Sequence, residues 1–98
     1  MTDFKEMMRQ AHLLRLQEEL GGRTVEGSAG GGMVVAVMNG RQELLSVRIE
    51  KEVVSPDDVG MLQDLVRAAM NDALARSREL AAAEMGKVTG GMLPPGIL

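Results

Sequence analysis

Cysteine, tryptophan and tyrosine are missing from this 98-residue sequence, and phenylalanine occurs once. Without cysteine the chain has no disulfide framework, no thiolate zinc site and no cysteine nucleophile. Without a set of aromatic rings it has no platform on which the bases of single-stranded nucleic acid could stack, which is the usual way of holding them. These absences remove thiol chemistry and base stacking from the candidate functions.

The sequence also lacks net positive charge and long apolar runs. Its formal net charge is −3, so the chain as a whole does not attract nucleic acid or an acidic membrane over long distances. No apolar run approaches the roughly 20 residues that a membrane-spanning helix needs. The first residues enter a charged helical pattern with no secretory apolar segment. We therefore predict a cytoplasmic protein without a membrane partner, in which DNA binding would depend on a local basic patch.

Residues 3–20 have the pattern of an amphipathic helix. Asp3 is a candidate N-cap, and Glu6 follows in capping-box spacing. One apolar face has helical spacing and is expected to be buried, namely Phe4, Met7, Met8, Ala11 and Leu14. A second stripe lies on another side of the helix and consists of Leu13, Leu16 and Leu20. Two apolar sides predict contacts on two sides, and Gly21-Gly22 is expected to end the helix.

The middle of the chain predicts three strands. Residues 23–28 form a plausible short strand, and the glycines that follow indicate a turn. Residues 33–38 are apolar and rich in β-branched side chains, which is typical of a central strand covered on both faces. Asn39-Gly40 is a turn dipeptide whose backbone tolerates positive φ. After it, residues 45–50 alternate apolar and polar, which predicts a strand with one solvated face.

Ser55-Pro56-Asp57-Asp58 predicts the start of a second helix, with Ser55 as N-cap and Pro56 at the first helical position. A broad apolar face follows, made of Val59, Leu62, Leu65, Val66, Ala69, Met70, Ala73 and Leu80. Gly86 is a candidate stop, and an end after Val88 is the alternative. The helix would be about 28–30 residues and roughly 45 Å long, whereas a compact 100-residue domain has a radius of gyration of about 13 Å. The helix must therefore extend past its own core, and its apolar overhang is best buried by a second copy of the chain. We expect a homodimer for this reason.

Catalytic chemistry is not apparent in the sequence. His12 is the single histidine and is interpreted as a surface residue, and neither Ser55 nor Ser77 has a base positioned to activate it. The glycines of residues 27–32 lack the Gly-Lys-Ser/Thr of a phosphate-binding loop and lead into a strand, so a turn is the better interpretation. Carboxylates do not cluster at metal-ligand spacing. We predict no enzyme, no cofactor, no metal site and no small-molecule substrate.

Basic residues are the remaining candidate functional groups. Lys5, Arg9 and His12 share one face of the first helix, with Arg15 to one side. Arg76, Arg78 and Lys87 lie in the C-terminal half of the second helix. Such cations can simply complement the helix dipole and keep the surface soluble. Alternatively they contact phosphates, and a dimer would present each cluster twice. All seven are candidate DNA-binding residues.

Several segments resemble the YbaB/EbfC family of bacterial nucleoid-associated proteins, over essentially the whole chain. The most specific are Met61–Ala73, which contains Asn-Asp-Ala, and the closing Gly-Met-Leu-Pro-Pro-Gly at 91–96. The others are residues 4–11, 25–32, 33–40 and 47–50.

The resemblance implies an α/β (α+β) homodimer in the order α-β-β-β-α, with a small antiparallel three-stranded sheet and two long helices that project like tweezers. It also implies binding of double-stranded DNA with little sequence preference, a nucleoid location, and roles in DNA conformation, nucleoid organisation and gene expression. Lys5, Arg9 and Arg76 match basic positions of the family. Residues 1–89 would form the single domain and residues 90–98 a Pro/Gly-rich tail. The alternative is a protein–protein interaction module with this fold and no significant DNA binding, which the acidic charge and nine methionines also suit.

Overall fold

The computed structural model describes residues 3–89. Its elements are α1 (Phe4–Gly22), β1 (Thr24–Ala29), β2 (Val34–Asn39), β3 (Leu44–Ile49), a short 3-10 helix (Lys51–Val53) and α2 (Val59–Thr89). This α-β-β-β-α order, with its antiparallel sheet, confirms the predicted fold class. The predicted tail, residues 90–98, lies outside the described residues. Within residues 3–89, neither helix is apolar enough over a sufficient length to cross a membrane.

The strands form one antiparallel sheet in the order β1-β2-β3. The apolar run of β2 occupies the centre, as predicted, and five of its six residues are buried. Val34, Ala36 and Met38 project from one face of β2 and form the core together with Ala69 and Ala73 of α2. Helix α2 therefore lies across β1 and β2.

Gly27 allows this close packing of α2 on β1. A Cβ atom at this position would lie 2.1 Å from the backbone nitrogen of Ala73 and 2.4 Å from the carbonyl oxygen of Ala69. Gly27 lies inside β1, whereas the positive φ angles of the glycine-rich segment belong to Gly30, Gly31 and Gly32. The glycine in the strand thus serves close backbone approach, and the other three form the turn.

Asn39 ties three elements together at one corner of the sheet. Its buried side chain donates from Nδ2 to the carbonyl oxygen of Gly21 (3.2 Å) and to Glu43 Oε1 (2.9 Å). Its backbone oxygen accepts a hydrogen bond from Ser77 Oγ at 2.7 Å. The end of α1, the loop after β2 and the middle of α2 are therefore held at the same point.

The turn predicted at Asn39-Gly40 is present, without the positive φ that this dipeptide tolerates. In this loop the positive φ belongs to Gln42, at 64°. Gly40 is instead required by space, because a Cβ atom there would lie 2.8 Å from Leu20 Cδ2. The turn dipeptide is thus also the site at which the end of α1 packs on the sheet.

Both helices end differently from the prediction, although Asp3 caps α1 as expected, accepting from the Lys5 N–H at 3.3 Å. Helix α1 continues through both glycines to its C-cap at Arg23. The N-cap of α2 is Asp58, whose Oδ1 accepts from the Met61 N–H at 3.1 Å. Ser55 instead caps the preceding turn by accepting from the Asp57 N–H. Helix α2 runs through Gly86 and ends at Thr89, one residue beyond the alternative end at Val88.

The expected buried face of α1 is exposed in the described chain. All five of its residues are exposed, Phe4 by 72%, while Leu16 and Leu20 of the other stripe are buried. The reason is that only the C-terminal part of α1 packs against the sheet corner and α2. The radius of gyration is 18.4 Å and the longest dimension 64 Å, so the molecule is far more extended than a compact chain of this length.

A second apolar surface lies open between β3 and α2. Every residue of β3 is exposed, so the prediction of a single solvated face was wrong for the described chain. Leu44, Val47 and Ile49 lie on β3 beside the core strand β2, and α2 leaves them exposed. We call the adjoining cleft of about 530 Å³ the β3–α2 groove; it is lined by Ile49, Leu62, Gln63, Val66, Arg67, Met70 and Asn71.

Candidate nucleic-acid interface

The basic residues near the start of α1 project into solvent. Lys5 and Arg9 are exposed, and within residues 3–89 neither forms an ion pair with a carboxylate. They lie one helical turn apart and therefore share a face. Their charge is available to an external anion.

A groove between the two helices brings together three of the predicted residues. His12 and Arg15 of α1 and Lys87 of α2 line a cleft of about 270 Å³. We call it the α1–α2 groove. Its other lining residues are Leu16, Glu19 and Glu84. Two segments about 70 positions apart in the sequence thus contribute to one mixed-charge surface.

Glu84 carries the ion pairs at this groove. Its Oε1 accepts from Lys87 Nζ at 3.2 Å and also pairs with the guanidinium of Arg23, the C-cap residue of α1. The hydrogen bond from Lys87, followed by that from Arg23, holds the pKa of Glu84 below its ordinary value. The sequence did not point to Arg23, because nothing local to it indicates a partner on α2.

Arg76 is held on a different part of α2. Its Nε lies 3.3 Å from Asp72, whose carboxylate also accepts from the backbone N–H of Ser28 at 3.0 Å. The Ser28 hydrogen bond is the main cause of a lowered pKa at Asp72, with Arg76 contributing. Arg76 therefore belongs to a contact that joins α2 to β1, and its charge is partly neutralised.

The C-terminal basic residues of α2 do not share one face. Lys87 follows Arg76 by 11 residues, or three turns, so the two lie on similar sides of the helix at about 100° per residue. Arg78 follows Arg76 by two residues and points to the opposite side. It is exposed, and no carboxylate among residues 3–89 pairs with it. The predicted α2 cluster is therefore divided between two surfaces.

The arrangement of these side chains suits an anion that bridges the two helices. Guanidinium and ammonium groups bind phosphate through charge-assisted hydrogen bonds. Arg15, Arg23 and Lys87 are all reachable from solvent at the groove or its edge.

The chain is similar in sequence to proteins that are named as nucleoid-associated in several bacteria. A "Nucleoid-associated protein" of Syntrophobacter fumaroxidans is 58% identical over 88 residues, covering 90% of this chain and 80% of that protein. A "Nucleoid-associated protein" of Moorella thermoacetica is 55% identical over 101 residues, covering 98% of this chain and 97% of that protein. A nucleoid-associated protein of Bacillus cereus is 54% identical over 84 residues, covering 86% of this chain and 77% of that protein.

The fold has a counterpart among solved structures. The crystal structure of an uncharacterized protein from Helicobacter pylori superposes with a TM-score of 0.75, covering 92% of this chain and 100% of that chain. Its sequence identity is 22%, so it supports the fold alone. Residues 1–92 of this chain match the model of the YbaB/EbfC DNA-binding family. With that match and relatives above 50% identity, this chain belongs to the YbaB/EbfC DNA-binding family.

Proposed function

We propose that this protein binds double-stranded DNA with low sequence specificity, through phosphate contacts from Lys and Arg side chains on its two helices. The observation that carries the proposal is the convergence of His12, Arg15 and Lys87 on the α1–α2 groove. As a DNA-bound protein of the bacterial cytoplasm and nucleoid, it would affect DNA conformation, nucleoid organisation and gene expression. We expect no catalytic activity and no small-molecule substrate.

The proposed contacts are to the DNA backbone and not to base edges. Phosphate contacts position a protein on the duplex but carry no sequence information. The exposed candidates on the described helices are mainly Lys and Arg side chains, which bind phosphate through charge-assisted hydrogen bonds. Because the net charge is −3, attraction has to act locally at the grooves, and salt should weaken it steeply.

A homodimer would place two such grooves on one assembly. We propose that the second copy covers the β3–α2 groove, because an exposed edge strand beside apolar helix residues is a surface that proteins normally pair or cover. The two α1–α2 grooves of such a dimer would together bind one duplex with an avidity that neither groove reaches alone. In this proposal the helices of the two copies project from the assembly like tweezers.

The test is fluorescence anisotropy of a labelled duplex of about 30 base pairs at several salt concentrations. The groove variant Arg15→Ala/Lys87→Ala should bind more weakly, with a log–log salt slope lower by about 0.9 for each phosphate that is no longer neutralised. The control Arg41→Ala/Lys51→Ala removes the same charge from two exposed positions outside the groove. Equal affinities and slopes for both variants would contradict the assignment of the groove, and no wild-type binding at low salt would contradict DNA binding itself.

One observation favours the alternative, a protein–protein interaction module. The apolar stripe that begins at Phe4 and includes Met7, Met8 and Leu14 is exposed along α1 in the described chain. A partner helix could cover it. A protein that remained bound at fixed stoichiometry after nuclease treatment, together with no duplex binding in the anisotropy titration, would favour this function over the first.

A further inference from the structure

One carboxylate oxygen at the α1–α2 groove meets two cations. Oε1 of Glu84 pairs with Arg23 and with Lys87. Lys87 is one turn away on the same helix, but Arg23 lies 61 positions earlier in the chain. Glu84 is thus the group on which two otherwise separate positive charges converge.

The three side chains differ in their access to solvent. The Glu84 side chain is 16% exposed, whereas that of Arg23 is 53% exposed and that of Lys87 is 72% exposed. The cations therefore lie on the outside and the carboxylate lies beneath them. A phosphate that approaches from solvent meets Arg23 and Lys87 first.

We propose that Glu84 is an intramolecular competitor for DNA phosphate. Its carboxylate occupies Arg23 and Lys87 in the free protein, and a phosphate of the duplex must take over both hydrogen bonds when it binds. The proposal rests on the DNA-binding function proposed above and adds a regulating residue to the same groove. Competition is direct, because carboxylate and phosphate use the same donors on guanidinium and ammonium groups.

The other charged residues of the groove determine how strongly the charge of Glu84 affects its net charge. Arg15 and Glu19 also line it, beside His12. Counted together with Arg23 at the edge of the groove, Arg15 and Lys87 exceed the carboxylates Glu19 and Glu84 by a single charge. Removing the charge of Glu84 doubles that excess while it leaves each basic side chain in place. The exchange also releases the ion pair between the C-cap of α1 and α2.

The experiment compares Glu84→Gln with Glu79→Gln. Glutamine keeps an amide oxygen that can accept both hydrogen bonds but removes the charge. Glu79 is exposed on the same helix and, in the part of the chain that the structure describes, forms no ion pair, so the control makes the same change in net charge. We expect Glu84→Gln to bind a duplex of about 30 base pairs roughly three- to tenfold more tightly than wild type, the range for releasing two solvent-screened ion pairs. Glu79→Gln should stay within about twofold.

A double variant tests whether the gain passes through the paired cation. The gain in duplex affinity from Lys87→Ala to Glu84→Gln/Lys87→Ala should be smaller than the gain from wild type to Glu84→Gln, because one of the two released donors is gone. The difference between the two gains measures the coupling between Glu84 and Lys87. Equal affinities for Glu84→Gln and Glu79→Gln, or weaker binding by Glu84→Gln than by wild type, would overturn the competitor role while leaving the DNA-binding proposal intact. If wild type and every variant failed to bind the duplex at low salt, the proposed function would fail and this role with it.

Discussion

Single residues set how closely the elements of this protein approach each other. Gly27 lets the backbone of α2 lie directly on β1, and Gly40 makes room for Leu20 at the end of α1. Asn39 then fixes that corner through hydrogen bonds to Gly21, Glu43 and Ser77. Gly27, Gly40 and Asn39 thus determine where both helices lie on the sheet.

Gly27→Ala should lower the free energy of unfolding by roughly 2–4 kcal/mol, because the added methyl group meets backbone atoms of α2 that cannot move separately. Urea unfolding followed by circular dichroism measures the change. Gly22→Ala is the matched control, since a Cβ there has nothing within 4 Å and alanine suits a helix better than glycine. A destabilisation at position 22 as large as that at position 27 would contradict the packing explanation.

At the scale of elements, α2 is attached to the rest of the chain by ionised carboxylates as well as by its apolar face. Asp72 joins it to β1 through the Ser28 N–H, and Glu84 joins it to the C-cap of α1 through Arg23. The pKa of Asp72 lies below the ordinary aspartate value of 3.8, and the pKa of Glu84 lies below the ordinary glutamate value of 4.5. The charged form is therefore favoured more in the folded than in the unfolded state.

These lowered pKa values predict a loss of stability in acid. The stabilisation is fully present above the ordinary values and is lost as the pH falls through the lowered folded-state values, because the unfolded chain then binds protons more readily. The urea midpoint should fall between about pH 6 and about pH 3 in wild type, and by less in Asp72→Asn/Glu84→Gln. Glu79→Gln serves as the control and should follow wild type. An acid response unchanged by the double variant would show that other groups are responsible.

At the scale of the whole molecule, extension leaves apolar surface that one chain cannot cover. The 64 Å length is far greater than a compact domain of this size would have, and the β3–α2 groove lies open along it. Burial of such a surface is the main driving force for stable association. The proposed second copy would therefore complete the core as well as duplicate the basic groove.

Val66→Glu should convert the proposed dimer to monomer, since it places a charge in the middle of the β3–α2 groove. Light scattering measures the mass, and duplex binding should weaken in the same variant because avidity is reduced. Leu14→Glu is the control, an equally apolar-to-charged change at an exposed position of α1. A Val66→Glu protein that kept the mass of wild type would place any interface elsewhere.

Local sequence patterns specified most of the fold. The apolar run of β2, the alternation after it and the helical spacing on either side of the strands depend on residues within a few positions of each other. They predicted the order α-β-β-β-α, the central strand and the length of α2. The helix ends were predicted less well, because Ser55 and Asp58 are both good N-caps and the choice between them depended on the turn that precedes α2.

The candidate site depended more on how the elements pack. The sequence supplied the basic residues, but which stripe of α1 is buried, and hence that His12 and Arg15 meet Lys87, followed from the packing of α1 on α2. The pairing of Arg23 with Glu84 was not predictable, because 61 positions separate the two residues. Periodicity and capping are short-range properties of the chain, so they were sufficient to specify the elements. Contacts between distant side chains arise only when those elements pack together, so the α1–α2 groove exists only in the folded molecule.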